Sequence, residues 1–205
     1  MPPLHGVGRG FESLIAHLIL SFTMKYEIFN NNFFIQFRAP NAEEFIKELE
    51  TENNIDNSVF SWGSLCTVDR VPLTWQKYMD FMSPSLHVLS DQIGKPFQYI
   101  MTDPWLNIYS QGGFQEVHDH WDNDFSCVLF LTEGSNFYFH DRNKITMSLR
   151  MKKLLDHPYI NDNWIPKVNV GDIMFFPSHM LHGVSPNKSK ELRKTFSCNF
   201  KITDN

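Results

Sequence analysis

The chain has 205 residues, a formal net charge of −5 and 42% hydrophobic residues. This length fits one domain, and the apolar content excludes a globally disordered chain. The acidic balance and the lack of a long basic run exclude the general electrostatic footprint of a nucleic-acid-binding protein. The three cysteines, Cys66, Cys127 and Cys198, show no Cys-x-x-Cys spacing, which predicts reduced thiols and a cytoplasmic location.

The first 23 residues contain a short apolar run, Leu14–Phe22, interrupted by His17. This run is shorter than the about 20 apolar residues that a bilayer-spanning helix needs, and it lacks a small-x-small cleavage site. We therefore expect residues 1–23 to be a poorly packed extension or the product of an upstream start, with a weak signal peptide as the less favoured alternative. Residues 24–205 are predicted to form one domain without membrane contact.

The domain is predicted to begin with two short strands around a turn within Lys25–Phe37. A capping-box pattern, Asn41 with Glu44, then opens a helix that ends at Asn53-Asn54. Apolar residues at helical spacing predict its buried stripe, which is Ala42, Phe45, Ile46 and Leu49.

The next part of the chain is predicted to be irregular and then helical. Ser61–Pro72 is typical of an irregular segment or an edge strand. Two helical segments follow, Leu73–Met82 and Pro84–Ile93, because Pro84 suits a first helical turn and Gly94 ends a helix.

Beyond residue 96 the pattern changes to short strands and turns, with one long basic insertion at Asp141–Lys167. Helices followed by about eight strands predict a mainly β, α+β domain, namely a sandwich or barrel with a helical layer on one face. The predicted strands are Phe97–Met101, Trp105–Tyr109, Glu116–Trp121, Phe125–Leu131, Phe137–His140, Val168–Val170, Ile173–Phe176, His182–Val184 and Lys194–Ile202.

Two histidines, His118 and His120, lie two residues apart in a strand-like segment. Residues at this spacing point to one face of a strand, and Asp122 could join them. His182 follows 62 residues later on another predicted strand. Such a set is typical of an open metal centre on a barrel, whereas the alternative is a surface loop with solvated imidazoles. Asp119 is predicted to point away as a solvated carboxylate.

Glycines flank both histidine segments. Gly112-Gly113 permits a turn or a close backbone approach before the first pair. In the second segment, His182 is preferred to His179 as a ligand because it enters the next strand, whereas His179 is expected in an exposed turn. Gly183 is predicted to leave room for a bound group beside the His182 imidazole.

The last predicted strand has a polar face, which comprises Arg193, Thr195, Ser197 and Asn199. Such a face is costly to bury unless it binds a polar group. A guanidinium matches a carboxylate with two hydrogen bonds. The alternative is a solvated arginine at the start of a strand.

This motif set resembles the 2-oxoglutarate/Fe(II)-dependent oxygenases of marine bacteria and cyanophages. Those proteins have a prolyl-hydroxylase-like double-stranded β-helix, so the resemblance implies a jelly-roll or cupin-like barrel with N-terminal helices packed on one sheet. If the chain is phage-encoded, its expected location is the host cytoplasm. The resemblance covers about residues 105–200 and rests on Trp105-x-Asn107, Gly112-Gly113, His118-x-His120, Ser126, Phe-Pro-Ser before His182-Gly-Val, and Arg193 with Ser197 and Asn199.

The resemblance also implies roles for individual residues. Fe(II) would bind His118, His120 and His182, although the usual facial triad is two histidines and one carboxylate. A second set of ligands, His120 and Asp122 with His182, restores a carboxylate ligand. Alternatively, Asp122 could accept a hydrogen bond from His120 and so orient its ring. Arg193 would hold the distal carboxylate of 2-oxoglutarate. Candidate hydrogen-bond partners of this cosubstrate are Asn107, Tyr109, Ser126 and Ser197.

The implied activity is that of a dioxygenase. It would consume O2 and 2-oxoglutarate, hydroxylate an unactivated C–H bond of a peptide or small metabolite, and release succinate and CO2. Two alternatives stay open, a cupin-type metalloenzyme that does not use 2-oxoglutarate and a metal-free jelly roll that binds sugars or peptides. A zinc hydrolase is disfavoured because no well-placed glutamate base accompanies the histidines.

Overall fold

The computed structural model describes residues 25–29, 32–51, 66–140 and 163–203. The predicted extension at 1–23, the predicted helix end at Asn53-Asn54 and most of the predicted insertion, 141–162, lie outside these residues. Within them, no helix has the length and apolar character needed to cross a membrane.

The described residues form two helices and eleven strands, which are β1 (Lys25–Phe29), β2 (Asn32–Arg38), α1 (Ala42–Glu50), β3 (Asp69–Pro72), α2 (Trp75–Ile93), β4 (Gln98–Tyr109), β5 (Gln115–His118), β6 (Phe125–Phe130), β7 (Phe137–His140), β8 (Asn163–Trp164), β9 (Asp172–Pro177), β10 (His182–Val184) and β11 (Arg193–Thr203). The strands pair into a large sheet, in the order β1-β2-β9-β6-β11-β4-β3, and a small sheet, in the order β5-β10-β7-β8. All described pairs are antiparallel. The prediction of a mainly β domain that also contains helices is therefore confirmed.

One core cluster joins the two helices to the large sheet. Ala42, Phe45 and Leu49 of the predicted helical stripe are buried in it, and Ile46 packs against it. The Phe45 ring lies 4.9 Å from the ring of Phe196 in β11. Side chains alternate along β11, so the face that contacts α1 is apolar and the opposite face is left for polar residues.

A second core cluster lies between the two sheets. Phe34 of β2 stacks on Phe139 of β7 with ring centroids 5.6 Å apart. The ring centroids of Phe137 in β7 and Phe176 in β9 are 5.8 Å apart. These last two side chains also line a cavity between the sheets. The apolar packing therefore holds the sheets together beside a polar space.

Two predictions about the helices are wrong. Asn41 makes no side-chain cap on α1, because its Nδ2 donates instead to the Phe81 carbonyl of α2 at 3.0 Å. The two predicted helical segments are one helix, with Pro84 inside it. Met82 and Leu86 on either side are buried in the core, and this packing outweighs the backbone hydrogen bond that a proline removes. Gly94 ends the helix with φ 74°, as predicted.

Three strand predictions also differ from the structure. The two predicted strands on either side of residues 102–104 are one strand, β4, whose residues 98–102 and 105–109 pair with β11. A register shift between Ser197 and Asn199 accommodates Pro104, which has no N–H to donate. Residues 168–170 are not a strand but lead into the turn before β9, where the Asn169 N–H donates to the Asp172 carboxylate at 2.9 Å. Strand β8 was not predicted.

Candidate metal centre

Strand pairing in the small sheet brings the three histidines together. His182 of β10 is the direct cross-strand partner of His118 in β5. His120 follows β5, and its backbone N–H donates to the Ser178 carbonyl at 2.9 Å. The ring centroids are 4.2 Å apart for His118 and His182, 5.1 Å for His118 and His120, and 5.2 Å for His120 and His182. One nitrogen from each ring lies within 4.8 Å of the others, so this group can hold a metal ion.

Hydrogen bonds to the backbone orient two of the imidazoles. The Nδ1 atom of His118 lies 2.8 Å from the Glu116 carbonyl oxygen, and the Nδ1 atom of His182 lies 2.8 Å from the Met180 carbonyl oxygen. A carbonyl oxygen can only accept a hydrogen bond, so Nδ1 is the donor and carries the hydrogen in both rings. The Nε2 lone pairs are thereby left for a metal, which is the usual arrangement of ligating histidines.

The electrostatic environment keeps the three rings neutral. Burial lowers the pKa of His118 to about 2 and that of His120 to about 3, and charge on His182 acts in the same direction on both. Burial also lowers the pKa of His182 to about 4, against the smaller raising effect of its hydrogen bond to Met180. Neutral imidazoles offer lone pairs at pH 7, as metal binding requires.

Neither nearby aspartate replaces a histidine in this group. Asp122 is exposed and accepts a hydrogen bond from the Asn123 side chain at 2.9 Å. It does not belong to the group of potential ligands, so the register with an Asp122 ligand is not the one that the fold assembles. Asp119 is partly buried and raises the pKa of His182. Asp119, predicted to be a solvated carboxylate, is therefore only partly exposed to solvent.

The surroundings of His182 agree with the sequence in one respect and differ in another. His179 is exposed in the turn after β9, as predicted, and its Nε2 lies 3.1 Å from Oδ1 of Asn32. A Cβ atom at Gly183 would lie 2.7 Å from the Tyr138 hydroxyl oxygen. The Tyr138 side chain therefore occupies the space beside Gly183, and the prediction that Gly183 leaves room for a bound group is wrong.

The three histidines line the cavity between the sheets together with Arg193 and the four predicted hydrogen-bond partners of the cosubstrate. This cavity lining includes Asn107 and Tyr109 of β4, Ser126 of β6, and Arg193 and Ser197 of β11. The polar face of β11 that the sequence predicted is buried against it.

Arg193 is the cation of this cavity, and it is only 3% exposed. Its Nη2 donates to the Ser185 carbonyl at 3.0 Å, and its guanidinium carbon lies 4.6 Å from the centroid of the Tyr109 ring. Nε and Nη1 are buried without a hydrogen-bond partner. Burial lowers the pKa of Arg193, and an uncompensated buried cation is costly. The site therefore fits an anion that would accept two hydrogen bonds here.

The other polar residues of the cavity hold one another in place. Trp105 Nε1 donates to Oδ1 of Asn107 at 2.9 Å, and Nδ2 of Asn107 donates to the hydroxyls of Thr195 and Ser197 at 3.2 and 3.1 Å. On the next strand pair, Ser126 donates to Oδ1 of Asn199 at 2.8 Å. These bonds make a fixed polar wall.

Two residues beside the histidines were missed from the sequence. The guanidinium of Arg70 in β3 lies 4.2 Å from the Trp105 ring centroid, and its charge lowers the pKa of His118 and His120. Gln115 lines the cavity, and its Nε2 lies 3.4 Å from Nε2 of His118. A spacing of three places two residues on opposite faces of a regular strand, but the register shift between β5 and β10 brings both into the cavity.

Comparison with known proteins agrees with this geometry. Residues 103–199, a little under half of the chain, match the family model described as "Putative 2OG-Fe(II) oxygenase". They contain the three histidines, Arg193 and the polar wall. No curated protein matches the sequence.

Solved structures with the same fold are distant in sequence. A Pseudomonas putida prolyl-4-hydroxylase is 12% identical, with a TM-score of 0.58 over 83% of this chain and 93% of that one. A 2OG-Fe(II) oxygenase family oxidoreductase from Burkholderia pseudomallei is 12% identical, with a TM-score of 0.56 over 82% and 84%. HygX from Streptomyces hygroscopicus, solved with nickel and 2-oxoglutarate bound, is 10% identical, with a TM-score of 0.57 over 83% of each chain.

At these identities the structural matches establish the fold, which is the predicted jelly roll of prolyl-hydroxylase-like proteins. The predicted cofactors, Fe(II) and 2-oxoglutarate, are confirmed by the family match and by a histidine cluster that can hold a metal. The part of the chain that builds the site is thus similar to the 2OG-Fe(II) oxygenase family model.

Proposed function

We propose that the chain is a hydroxylase that couples oxidation of an unactivated C–H bond to the conversion of 2-oxoglutarate and O2 into succinate and CO2. The observation that carries this proposal is that a three-imidazole cluster and a buried guanidinium with two unpartnered nitrogens open on one cavity. The substrate is proposed to be a peptide or small metabolite. The three cysteines are buried and form no disulfide, which supports the proposed cytoplasmic location.

In this proposal His118, His120 and His182 hold Fe(II) through the nitrogens that face one another. The iron supplies the oxidising chemistry when it is bound together with 2-oxoglutarate and O2. The Nδ1 bonds to Glu116 and Met180 hold the rings of His118 and His182 in the binding orientation. Burial keeps all three rings unprotonated, so no proton has to leave before the metal binds.

Arg193 is proposed to bind the distal carboxylate of 2-oxoglutarate through Nε and Nη1. Its Nη2 bond to Ser185 and its stacking on Tyr109 fix the guanidinium plane and so reduce the entropy lost on binding. Asn107, Ser126 and Ser197 contribute as the polar wall of the pocket, and the apolar rings of the second core exclude water on the other side.

The test is anaerobic calorimetry with Mn(II), followed by 2-oxoglutarate, and then succinate release with Fe(II), O2 and a panel of peptides and metabolites. Metal followed by 2-oxoglutarate binding supports the oxygenase. Metal uptake without 2-oxoglutarate binding indicates the cupin-type alternative, and no metal uptake indicates a binding module.

Matched variants make this test specific to the site. His182→Ala is expected to lose metal binding and turnover, whereas His179→Ala, three residues earlier in the exposed turn, should retain both. Arg193→Ala is expected to lose turnover with partial recovery at high 2-oxoglutarate, while Arg38→Ala on the exposed end of β2 should behave as wild type. Unchanged coupled turnover in His182→Ala or Arg193→Ala would remove the assignment.

A further inference from the structure

We propose that Gln115 binds 2-oxoglutarate by donating a side-chain N–H to an oxygen at the metal-chelating end of this cosubstrate, and that Tyr109 is the positioning residue that holds the amide in the donating orientation. This inference rests on the proposed function. It gives Tyr109 a different role from direct contact with the cosubstrate.

The orientation of the Gln115 amide follows from its two neighbours. The Tyr109 hydroxyl donates to Oε1 of Gln115 at 2.9 Å, which places the amide nitrogen on the other side. There, Nε2 lies 3.4 Å from Nε2 of His118. Because the Nδ1 hydrogen of His118 is directed at the Glu116 carbonyl, this Nε2 carries a lone pair. The amide therefore donates to His118, and a flipped amide would place oxygen against that lone pair.

Metal binding at His118 would remove the hydrogen-bond acceptor of the Gln115 amide. The lone pair of His118 Nε2 has room for one bond, so a metal at that atom displaces the Gln115 hydrogen bond. Gln115 is only 5% exposed, and a buried N–H left without an acceptor is costly. Its side chain already lines the cavity beside His118. In the proposed complex, the 2-oxo acid end of 2-oxoglutarate also binds the metal. Its oxygen atoms then become the hydrogen-bond acceptors for the Gln115 amide.

Tyr109 cannot play the same part directly. A tyrosine hydroxyl has one proton, and that proton is directed at Gln115. The ring is fixed on the other side by the guanidinium of Arg193, 4.6 Å from its centroid. Tyr109 thus connects the two ends of the proposed cosubstrate site, with its face toward the guanidinium and its hydroxyl toward the amide.

The experiment uses Gln115→Leu, Tyr109→Phe and the double variant in the full chain. Tyr109→Phe keeps the ring against Arg193 and removes only the hydroxyl. Gln111→Leu, in the exposed turn before β5, is the matched control. Each protein is titrated anaerobically with Mn(II) alone and then with 2-oxoglutarate, and the charge-transfer absorption of the anaerobic Fe(II)–2-oxoglutarate complex is recorded.

Gln115→Leu is expected to bind Mn(II) as tightly as wild type or more tightly, because no amide competes for the His118 lone pair. Its affinity for 2-oxoglutarate should fall about 10- to 100-fold, the range for one lost hydrogen bond to a charged group, and its charge-transfer band should shift. Tyr109→Phe should show the same changes to a smaller extent. The double variant should be no weaker than Gln115→Leu, because Tyr109 acts through the amide.

Wild-type 2-oxoglutarate affinity and an unshifted band in Gln115→Leu would overturn the inference while leaving the proposed function intact. An additive double variant would overturn the role of Tyr109. A wild-type protein that takes up Mn(II) but not 2-oxoglutarate would instead refute the proposed function. If Gln115→Leu fails to fold, Gln115→Met replaces it, because its unbranched side chain has a similar length and donates no hydrogen bond, and the same loss of 2-oxoglutarate affinity is expected.

Discussion

Replacing Arg193 by methionine removes the charge that the cavity leaves uncompensated while keeping an unbranched side chain of similar length. In the wild type, Nε and Nη1 are buried without partners, so both are available to 2-oxoglutarate. Two hydrogen bonds to a charged group contribute about 3–6 kcal/mol in total. We therefore expect Arg193→Met to bind 2-oxoglutarate about 10²- to 10⁴-fold more weakly, since each factor of ten corresponds to about 1.4 kcal/mol.

The stability of the ligand-free protein is expected to change much less. Methionine loses the 3.0 Å bond from Nη2 to Ser185, which is worth about 1 kcal/mol. It also relieves the cost of burying an unpaired guanidinium, which acts in the opposite direction. The free energy of unfolding of Arg193→Met should therefore stay within about 1 kcal/mol of wild type.

Calorimetry on the Mn(II)-loaded proteins measures the first effect, and urea unfolding of the metal-free proteins measures the second. Arg193→Lys is the matched control, because a lysine keeps the charge but not the two-pronged geometry, and its affinity should lie between the other two. Wild-type 2-oxoglutarate affinity in Arg193→Met would refute the reasoning. A large loss of stability would show that Arg193 is mainly a structural residue.

Three further predictions concern charge and packing around the site. The pKa values of His118, His120 and His182 in the folded protein are about 2, 3 and 4, below the value of about 6.5 in the unfolded chain. The unfolded chain therefore binds protons at a higher pH than the folded protein does. The free energy of unfolding of the metal-free protein should be greatest above about pH 6.5 and should fall on acidification, by on the order of 1 kcal/mol per pH unit for each histidine. Urea unfolding at pH 7 and pH 5 measures this, and a His182→Gln variant with the same slope as wild type would contradict it. Arg70→Gln removes a positive charge beside the histidines and should therefore bind Mn(II) more tightly than wild type in low-salt calorimetry. Lys201→Gln, at an exposed position, should bind Mn(II) as wild type does. Mn(II) affinity in Arg70→Gln equal to or weaker than that of wild type would contradict the electrostatic role of Arg70. Gly113→Ala should lower the free energy of unfolding by about 1–3 kcal/mol, because its Cβ would lie 2.9 Å from the backbone carbonyl oxygens of Ser110 and Thr67; a wild-type free energy of unfolding, measured with urea, would contradict the steric reason.

The histidine cluster could be predicted because its geometry is mostly local. The two-residue period of extended chain predicts that His118 and His120 share a face, and their ring centroids do lie 5.1 Å apart, although β5 ends at His118. Their meeting with His182 needs one strand pairing, which the structure supplies as the direct partnership of His118 and His182. The polar face of β11 follows from the same period, with Arg193 at its start.

Gln115, Arg70 and Asn41 could not be placed in the same way. Gln115 reaches the cavity only because of a register shift, and its spacing from His118 indicates the opposite face of the strand. Arg70 comes from an edge strand that contacts the site through its pairing with Asn107, and no local pattern encodes that pairing. Asn41 has a good capping sequence, yet the carbonyl of Phe81 in another helix takes its side chain.

Local sequence rules also did not predict that α2 and β4 are each one continuous element. The sequence predicted a break before Pro84 and another between Met101 and Trp105, but one helix and one strand run through these positions. In α2 the buried face on both sides of Pro84 maintains the helix. In β4 a register shift in the neighbouring strand accommodates the missing N–H. Tertiary packing decided both cases.

The most direct test of the account is X-ray absorption spectroscopy of the anaerobic Fe(II) protein, recorded with and without 2-oxoglutarate. The account predicts outer-shell scattering from three imidazoles, together with a change in the iron spectrum when 2-oxoglutarate is added. Two imidazoles with a protein carboxylate, or a spectrum that 2-oxoglutarate leaves unchanged, would contradict it.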